Sequence, residues 1–277
     1  MLTIQHILVP VDFSDCSKNA LKQAIKIGDS MKAEIHILHA YHVPVPASPM
    51  TMSIENDQVD NYKKETEVKF EVLRRELPEL NNREVNFIFD MAFAIDSIKT
   101  TVSQNNIDLI VMGTQGSGTF GNKLLGSTTY NTIDRVDCPV LAIPEDTTSL
   151  NFEKILLATD YKHLKDTKQF DMLKALSNDN SEVQLLHVSK EPSKLSIDKS
   201  TEAINLDNYF GDLNHSFHFM QDTDVEGGIQ KYVEENDIDV LSIIPHEHNF
   251  FGRLFKESIT RKVIQNIQIP TLALRKA

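Results

Sequence analysis

The chain has 277 residues, 40% of them hydrophobic, and a formal charge of −12, which is enough apolar material for two medium cores. A field of that sign repels phosphate polymers and anionic lipid surfaces, so neither nucleic acid nor membrane is an expected partner. No apolar run approaches the roughly 20 residues of a bilayer span, and the N-terminus lacks a basic-then-apolar leader, so a soluble, cytoplasmic protein is expected.

The first strand is written as His6-Ile-Leu-Val-Pro-Val-Asp12, and Ser14 follows as a candidate N-cap. Leu21, Ala24, Ile25 and Gly28 then recur at helical spacing, giving a stripe that faces a sheet. Cys16 falls in the first turn, where a thiolate is favoured, against the plainer reading that it packs. The chain's other cysteine, Cys138, is far away, so neither a disulfide framework nor a zinc ribbon is supported. Glu34-Ile-His-Ile-Leu-His-Ala40 is an apolar run suited to a strand buried on both faces. A polar loop and a charged helical stretch follow, from about Ile54 to Leu77. Ile107 to Gly113 makes a fourth strand. Next comes Gly113-x2-Gly116, nine residues, then Gly126-Ser127, with a helix starting near Thr128. A fifth strand opens at Cys138-Pro139-Val140, and 145–149 reads as a linker.

The pattern then starts again. Lys154-Ile-Leu-Leu-Ala-Thr-Asp160 lies over the first strand and Glu182-Val-Gln-Leu-Leu-His-Val188 over the second, both at an offset of 148. Further on the offset is 131, pairing Ile107–Val111 with Ile238–Ser242 and Pro139–Ala142 with Pro270–Ala273, so 17 residues are lost between the second and fourth strands. Phe170, Leu173 and Leu176 repeat the helical stripe. Each half alternates strand and helix, which calls for an α/β fold with a parallel sheet and helices on both faces. The expected units are 1–146 and 151–277.

The glycine spacing is the chemical signal. Glycines let a backbone approach an anion and adopt positive φ, turning successive N–H groups inward, and the helix start after Gly126 adds its positive end. Gly116-Ser-Gly118-Thr-Phe-Gly121 also spells a dinucleotide fingerprint, but it follows the fourth strand instead of the first. A Walker-type reading of Gly116 through Lys123 fails because Asn122 separates Gly121 from the lysine.

The spacing Gly113-x2-Gly116-x9-Gly126-Ser127 resembles the phosphate-binding signature of the ATP-binding branch of the universal stress protein family. Pro10-Val11-Asp12, Leu38-His39-Ala40 and Cys138-Pro139-Val140 sit where that family has similar residues. The resemblance implies two tandem five-stranded domains of strand order 3-2-1-4-5, similar to adenine nucleotide α-hydrolases. The ligand crevice would lie where strand order reverses. It further implies that Asp12 contacts ribose, that backbone groups of Val11 and Ala40 hold adenine, and that Gly113, Gly116, Gly126, Ser127 and Thr128 line the phosphate path. Mg²⁺ would be held mainly by the phosphates. Taken alone, Asp12 also reads as a helix cap, and His39 and His187 as local packing at strand ends.

In the second half the glycine positions become Ile244, Glu247 and Glu257, with Ser258 keeping its type. The acidic groups would repel phosphate, and Ile244 resists positive φ, so only the first half is expected to bind ATP. His246-Glu-His248, with Asp160 across the crevice, is a weak metal candidate set against an ordinary exposed loop. The expected function is a nucleotide-responsive regulator acting on an unidentified protein partner. Neither an arginine finger nor a water-positioning base stands out, so hydrolysis is at most slow. The rival is a nucleotide-free scaffold in which both halves serve assembly. Each fifth strand is an exposed edge of its own half, and because such strands pair between subunits in the family resembled, Val140–Ile143 and Thr271–Leu274 are expected to pair within the chain as a pseudo-dimer, with association of two chains as an open alternative. An adenylylating enzyme of the wider α-hydrolase group is a third reading.

Overall fold

The structure is a computed structural model that describes residues 2–42, 56–116, 125–159, 167–190, 197–245 and 257–274. In the first half β1 (His6–Pro10), α1 (Asp15–Met31), β2 (Glu34–Ala40), α2 (Asn56–Glu76), β3 (Val85–Asp90), α3 (Ala94–Gln104), β4 (Leu109–Gly113), α4 (Ser127–Arg135) and β5 (Val140–Ile143) alternate as the sequence suggests. The second half follows with β6 (Lys154–Ala158), α5 (Asp171–Leu176), β7 (Glu182–Ser189), α6 (Ile197–Phe210), β8 (Asn214–Gln221), α7 (Val225–Asn236), β9 (Val240–Ile243), α8 (Glu257–Asn266) and β10 (Thr271–Ala273).

α1 shows how local sequence sets these boundaries. Ser14 Oγ accepts the N–H of Ser17 at 3.3 Å, and Asp15 places a negative charge in the first turn, where the helix dipole favours it. Lys32, in the left-handed region at φ 58°, ends the helix by returning its N–H to the Gly28 carbonyl. The buried stripe includes Ala20, Leu21, Ala24, Ile25 and Gly28. A methyl group on Gly28 would stand 2.9 Å from Ile35 Cδ1, so glycine lets this helix lie close on β2.

The ten strands form one sheet in the order β3-β2-β1-β4-β5-β10-β9-β6-β7-β8. Each half therefore has the order 3-2-1-4-5. Every neighbouring pair is parallel except β5 with β10, which run antiparallel with Leu141 opposite Leu272. The fifth strands thus lie inside the sheet, fully buried, and β3 and β8 form its ends. Because side chains alternate along a strand, each face has its own core. Ile7, Val9, Ile37 and Val111 share one with Leu21, Leu73, Leu157 and Phe170. Leu8, Leu38, Ile110 and Met112 share the other with Ile98, Ile133, Leu156 and Ile229. Both cores run across the two halves.

The repeat is structural as well as sequential. Asp108 Oδ2 accepts the N–H groups of Gln5 and His6 at 2.7 and 3.0 Å, and Asp239 Oδ2 does the same for Glu153 and Lys154 at 3.2 and 2.8 Å. The second crossover helix is shorter in the second half, 14 residues in α6 against 21 in α2. The segment between halves is tied down. Asn19 Nδ2 donates to the carbonyls of Glu145 and Thr147 at 3.0 and 2.9 Å.

Replacing Ser14 with alanine should remove the α1 cap and lower unfolding free energy by about 1 kcal/mol. Urea denaturation of the two proteins measures this, and equal midpoints would show that the cap contributes nothing.

Candidate functional site

β1 lies between β2 and β4, so the crossovers on its two sides leave in opposite directions and open a crevice at the strands' carboxyl ends. A cavity of about 460 Å³ occupies that position, lined in part by Val11, Asp12, Ala40, Gly113, Gly116, Gly126, Ser127 and Thr128. All eight sequence-derived candidates therefore surround one space. Its size lies within the roughly 300–1,000 Å³ usual for small-molecule sites.

The turn after β1 aims Asp12. Phe13 follows at φ 64°, a strained conformation for a bulky residue, and is held by ring contacts with His39 at 4.7 Å and Phe70 at 5.6 Å. Asp12 Oδ1 accepts the Ser14 N–H at 3.1 Å and the Ser14 hydroxyl at 2.6 Å. Asp12 thus braces the residue that caps α1, and the capping residue itself is Ser14. Asp12 Oδ2 points the other way, 2.8 Å from where a side chain on Gly116 would begin.

The Val11 N–H donates to the Leu38 carbonyl at 2.8 Å, and the Val11 carbonyl accepts from His39 Nδ1 at 2.8 Å. Val11 can therefore offer a ligand its second carbonyl lone pair and its side chain, while its amide is committed. His187 Nδ1 donates to the Thr159 carbonyl at 3.0 Å in the same way, as expected of histidines that bond locally at strand ends. Burial pushes the His39 pKa down, opposed by the bond to Val11.

Positive φ, one of the two reasons the sequence offered for these glycines, does not account for them. None of Gly113, Gly116 and Gly126 adopts positive φ, and Gly126 sits at φ −59°. Lack of space explains Gly113 and Gly116. A methyl group on Gly113 would stand 2.7 Å from Cys16 Sγ and 3.1 Å from the Cys16 backbone. Gly116 makes room for the Asp12 carboxylate. Gly126 tolerates a Cβ, with the Thr114 carbonyl 3.4 Å away, and its own N–H donates to that carbonyl at 2.7 Å. The positive-φ argument against Ile244 fails with it. Ile244 instead fills the core, 5% exposed.

Cys16 packs in the same region, as the plainer of its two readings expects. It lies in the first turn of α1 but is 2% exposed, and burial raises its pKa, so a thiolate is disfavoured there. Cys138 is buried too.

Three helices begin at the cavity, since Ser17 of α1, Ala94 of α3 and Ser127 of α4 all line it. Neither α3 nor α4 has a side-chain cap, because their N-cap residues are Phe93 and Gly126. Their first-turn N–H groups suit an anionic or strongly polar ligand. Leu38, Ile98 and Met112 supply an apolar floor. Thr129, which no sequence motif marks, ties α4 to β4 by donating its hydroxyl to the Gly113 carbonyl at 2.7 Å. Ala94 carried no sequence signal, because an uncapped helix start after a strand has no marker residue. Asp160, His246, Glu247, His248 and the run Gly118 to Lys123 lie outside the described residues. Glu257 opens α8 and Ser258 follows it.

A profile described as the Universal stress protein family matches residues 3–144. A universal stress protein of Methanocaldococcus jannaschii is 27% identical over 154 residues, covering 50% of this chain and 94% of that protein. A universal stress protein from Archaeoglobus fulgidus superposes over 100% of both chains with a TM-score of 0.74 at 18% identity. A putative universal stress protein from Pseudomonas aeruginosa covers 98% of this chain and 93% of its own, with a TM-score of 0.60 at 14% identity. At these structural identities the likeness is one of fold.

Both thiols should resist Ellman's reagent in the native protein and both should react in denaturant; rapid native labelling of Cys16 would contradict its burial. His39 predicts a pH effect. Its folded pKa lies below the ordinary 6.5, so its contribution to stability is whole above that pH and is lost as pH falls through it, when the unfolded chain takes up a proton first. Urea midpoints between pH 7.5 and 5.5 should fall less for His39→Gln than for the parent.

Proposed function

Because the chain belongs to the universal stress protein family, we propose that this cavity holds ATP and that the protein is a nucleotide-responsive regulator. The site belongs to the unit 1–146; the unit 151–277 is a partner in the fold that does not bind the nucleotide. The observation that carries the reading is the convergence of three helix starts and the Gly113, Gly116 and Gly126 backbone on one cavity that also has an apolar floor. One end of it suits phosphates and the other suits a flat heterocycle. The resemblance to the family's ATP-binding branch names the nucleotide.

The side chains present fit that ligand. Among the described lining residues Asp12 is the single ionisable one, and a carboxylate acceptor is what ribose hydroxyls require. Ala40 at the end of β2 and the free lone pair of the Val11 carbonyl face the adenine end. Ser127 adds a hydroxyl beside the α4 amides, and Thr128 continues that turn. Any Mg²⁺ would be carried mainly by the phosphates.

This is a binding role. Occupancy favours whichever arrangement of segment 113–128 binds the nucleotide more tightly, and a protein partner would read that surface. The antiparallel pairing of β5 with β10 favours a second reading, in which the chain is a built-in pseudo-dimer used as a nucleotide-free scaffold. Native mass spectrometry separates the two, since the first expects one nucleotide per chain and the second expects an empty protein that ignores added ATP.

Gly126→Glu brings a negative charge to the α4 start at a position with room for its Cβ, so the fold should persist. A like-charge cost of several kcal/mol predicts that ATP affinity falls by at least about 100-fold. Adding Gly116→Glu should abolish binding. Calorimetry reads both, and unchanged affinity in the double variant would remove the site from this loop.

A further inference from the structure

Three side chains with metal-binding atoms meet at the opposite end of the same strands. His6 opens β1, Glu34 opens β2, and His36 lies two residues further on. The parallel register sets His6 against Glu34 and Leu8 against His36, so the three share one face of the sheet. His6 Nδ1 is 3.2 Å from His36 Nε2 and 3.6 Å from Glu34 Oε2, and His36 Nε2 is 3.8 Å from Glu34 Oε1. Ligand atoms held tetrahedrally at Zn²⁺ distances stand about 3.4 Å from one another. The observed separations bracket that value, and the three groups are able to hold one ion together.

We propose that His6 Nδ1, the Glu34 carboxylate and His36 Nε2 form a three-ligand site for a divalent transition metal of the Zn²⁺ class, with the fourth position open to water. Two imidazoles and one carboxylate suit Zn²⁺ and its neighbours, whereas Mg²⁺ and Ca²⁺ prefer oxygen alone. The surroundings are those of a supported site. Asn86, in register with His36 on β3, has its side-chain amide 3.2 Å from His36 Nδ1. With the amide turned so that its oxygen accepts from Nδ1–H, the His36 Nε2 lone pair is fixed toward His6 and Glu34. Asp108 anchors the His6 backbone N–H. The His36 side chain is 4% exposed, while His6 and Glu34 are at 31% and 45%, which leaves an entry path from solvent.

The second half supplies an internal comparison. The same positions carry Lys154, Glu182 and Gln184. Gln184 Nε2 donates to Glu182 Oε2 at 3.2 Å and Gln184 Oε1 accepts from the Tyr232 hydroxyl at 2.9 Å. The Ser216 hydroxyl donates to Glu182 Oε1 at 3.1 Å, and Lys154 Nζ turns away to the Asn236 carbonyl at 3.0 Å. Those three positions carry no imidazole, and His218, whose Nε2 lies 2.8 Å from the Ser216 hydroxyl, belongs to the same hydrogen-bonded network. The first-half cluster lies four residues along β1 from the cavity end, on the order of 13 Å, so it stands apart from the nucleotide reading. A bound ion would join the amino ends of β1 and β2 and stabilise the folded chain by mass action.

The test is calorimetric titration of the full chain, first stripped with a chelator, using ZnCl₂ alone. One Zn²⁺ per chain is expected, with the thermal midpoint raised by Zn²⁺ and unmoved by Mg²⁺. His36→Gln, which copies Gln184, should weaken binding by more than about 100-fold, since even loss of an outer partner costs about 10–100-fold. Glu34→Gln, at a half-exposed position that keeps the fold, should also weaken it by at least about tenfold. Absence of stoichiometric binding would mean an ordinary histidine–histidine hydrogen bond and overturn the proposal. So would full affinity in Glu34→Gln, or loss of binding in His246→Ala/His248→Ala in place of these variants.

Discussion

The first turn of α1 packs against the end of β4 with no side chain on the strand residue that it meets, Gly113. A Cβ at residue 113 would overlap Cys16 Sγ and crowd its backbone, so the helix can reach this depth only over glycine. The Cys16 thiol in turn approaches the Ile143 carbonyl at 3.6 Å, joining α1 to β5 as well. This contact brings the β1–α1 turn, with Asp12, to the same place as the β4–α4 segment, with Gly116 and Gly126. The cavity is what remains between them.

That constraint explains why the two halves diverge chemically on a shared frame. Both have the strand order 3-2-1-4-5, the aspartate at the start of β4 or β9 that accepts two amides, and the histidine that bonds the end of β1 or β6. At the position of Gly113 the second half has Ile244, whose side chain enters the core. The described helix after β6 spans Asp171–Leu176 and follows a single turn at Thr167–Phe170.

The two ends of the parallel strands also differ in kind. At the carboxyl ends, helices begin, so unpaired N–H groups and positive dipole ends gather and the site suits anions. At the amino ends, side chains at alternate positions on adjacent strands share a face, so His6, Glu34, His36 and Asn86 become neighbours by register alone. The first environment is made largely by backbone and the second by side chains.

The tandem repeat, the alternation of strand and helix, the Ser14 cap and the apolar stripe of α1 were legible in the sequence because each is a local pattern or a repeated one. Eight of the residues that line the cavity were legible as well, through their spacing and the family it resembles. Tertiary packing alone decided why residues 113 and 116 are glycine, since close approach to Cys16 and Asp12 takes the place of positive φ, a fact about atoms remote in the chain. It also decided that Cys16 is a buried thiol with a raised pKa despite its helical position, because desolvation outweighs the hydrogen bonds from Gln115 and Thr114. Thr129, Ala94 and the His6–Glu34–His36 cluster escaped notice for one reason: contacts across strands and between chain segments have no fixed spacing until the sheet sets their register.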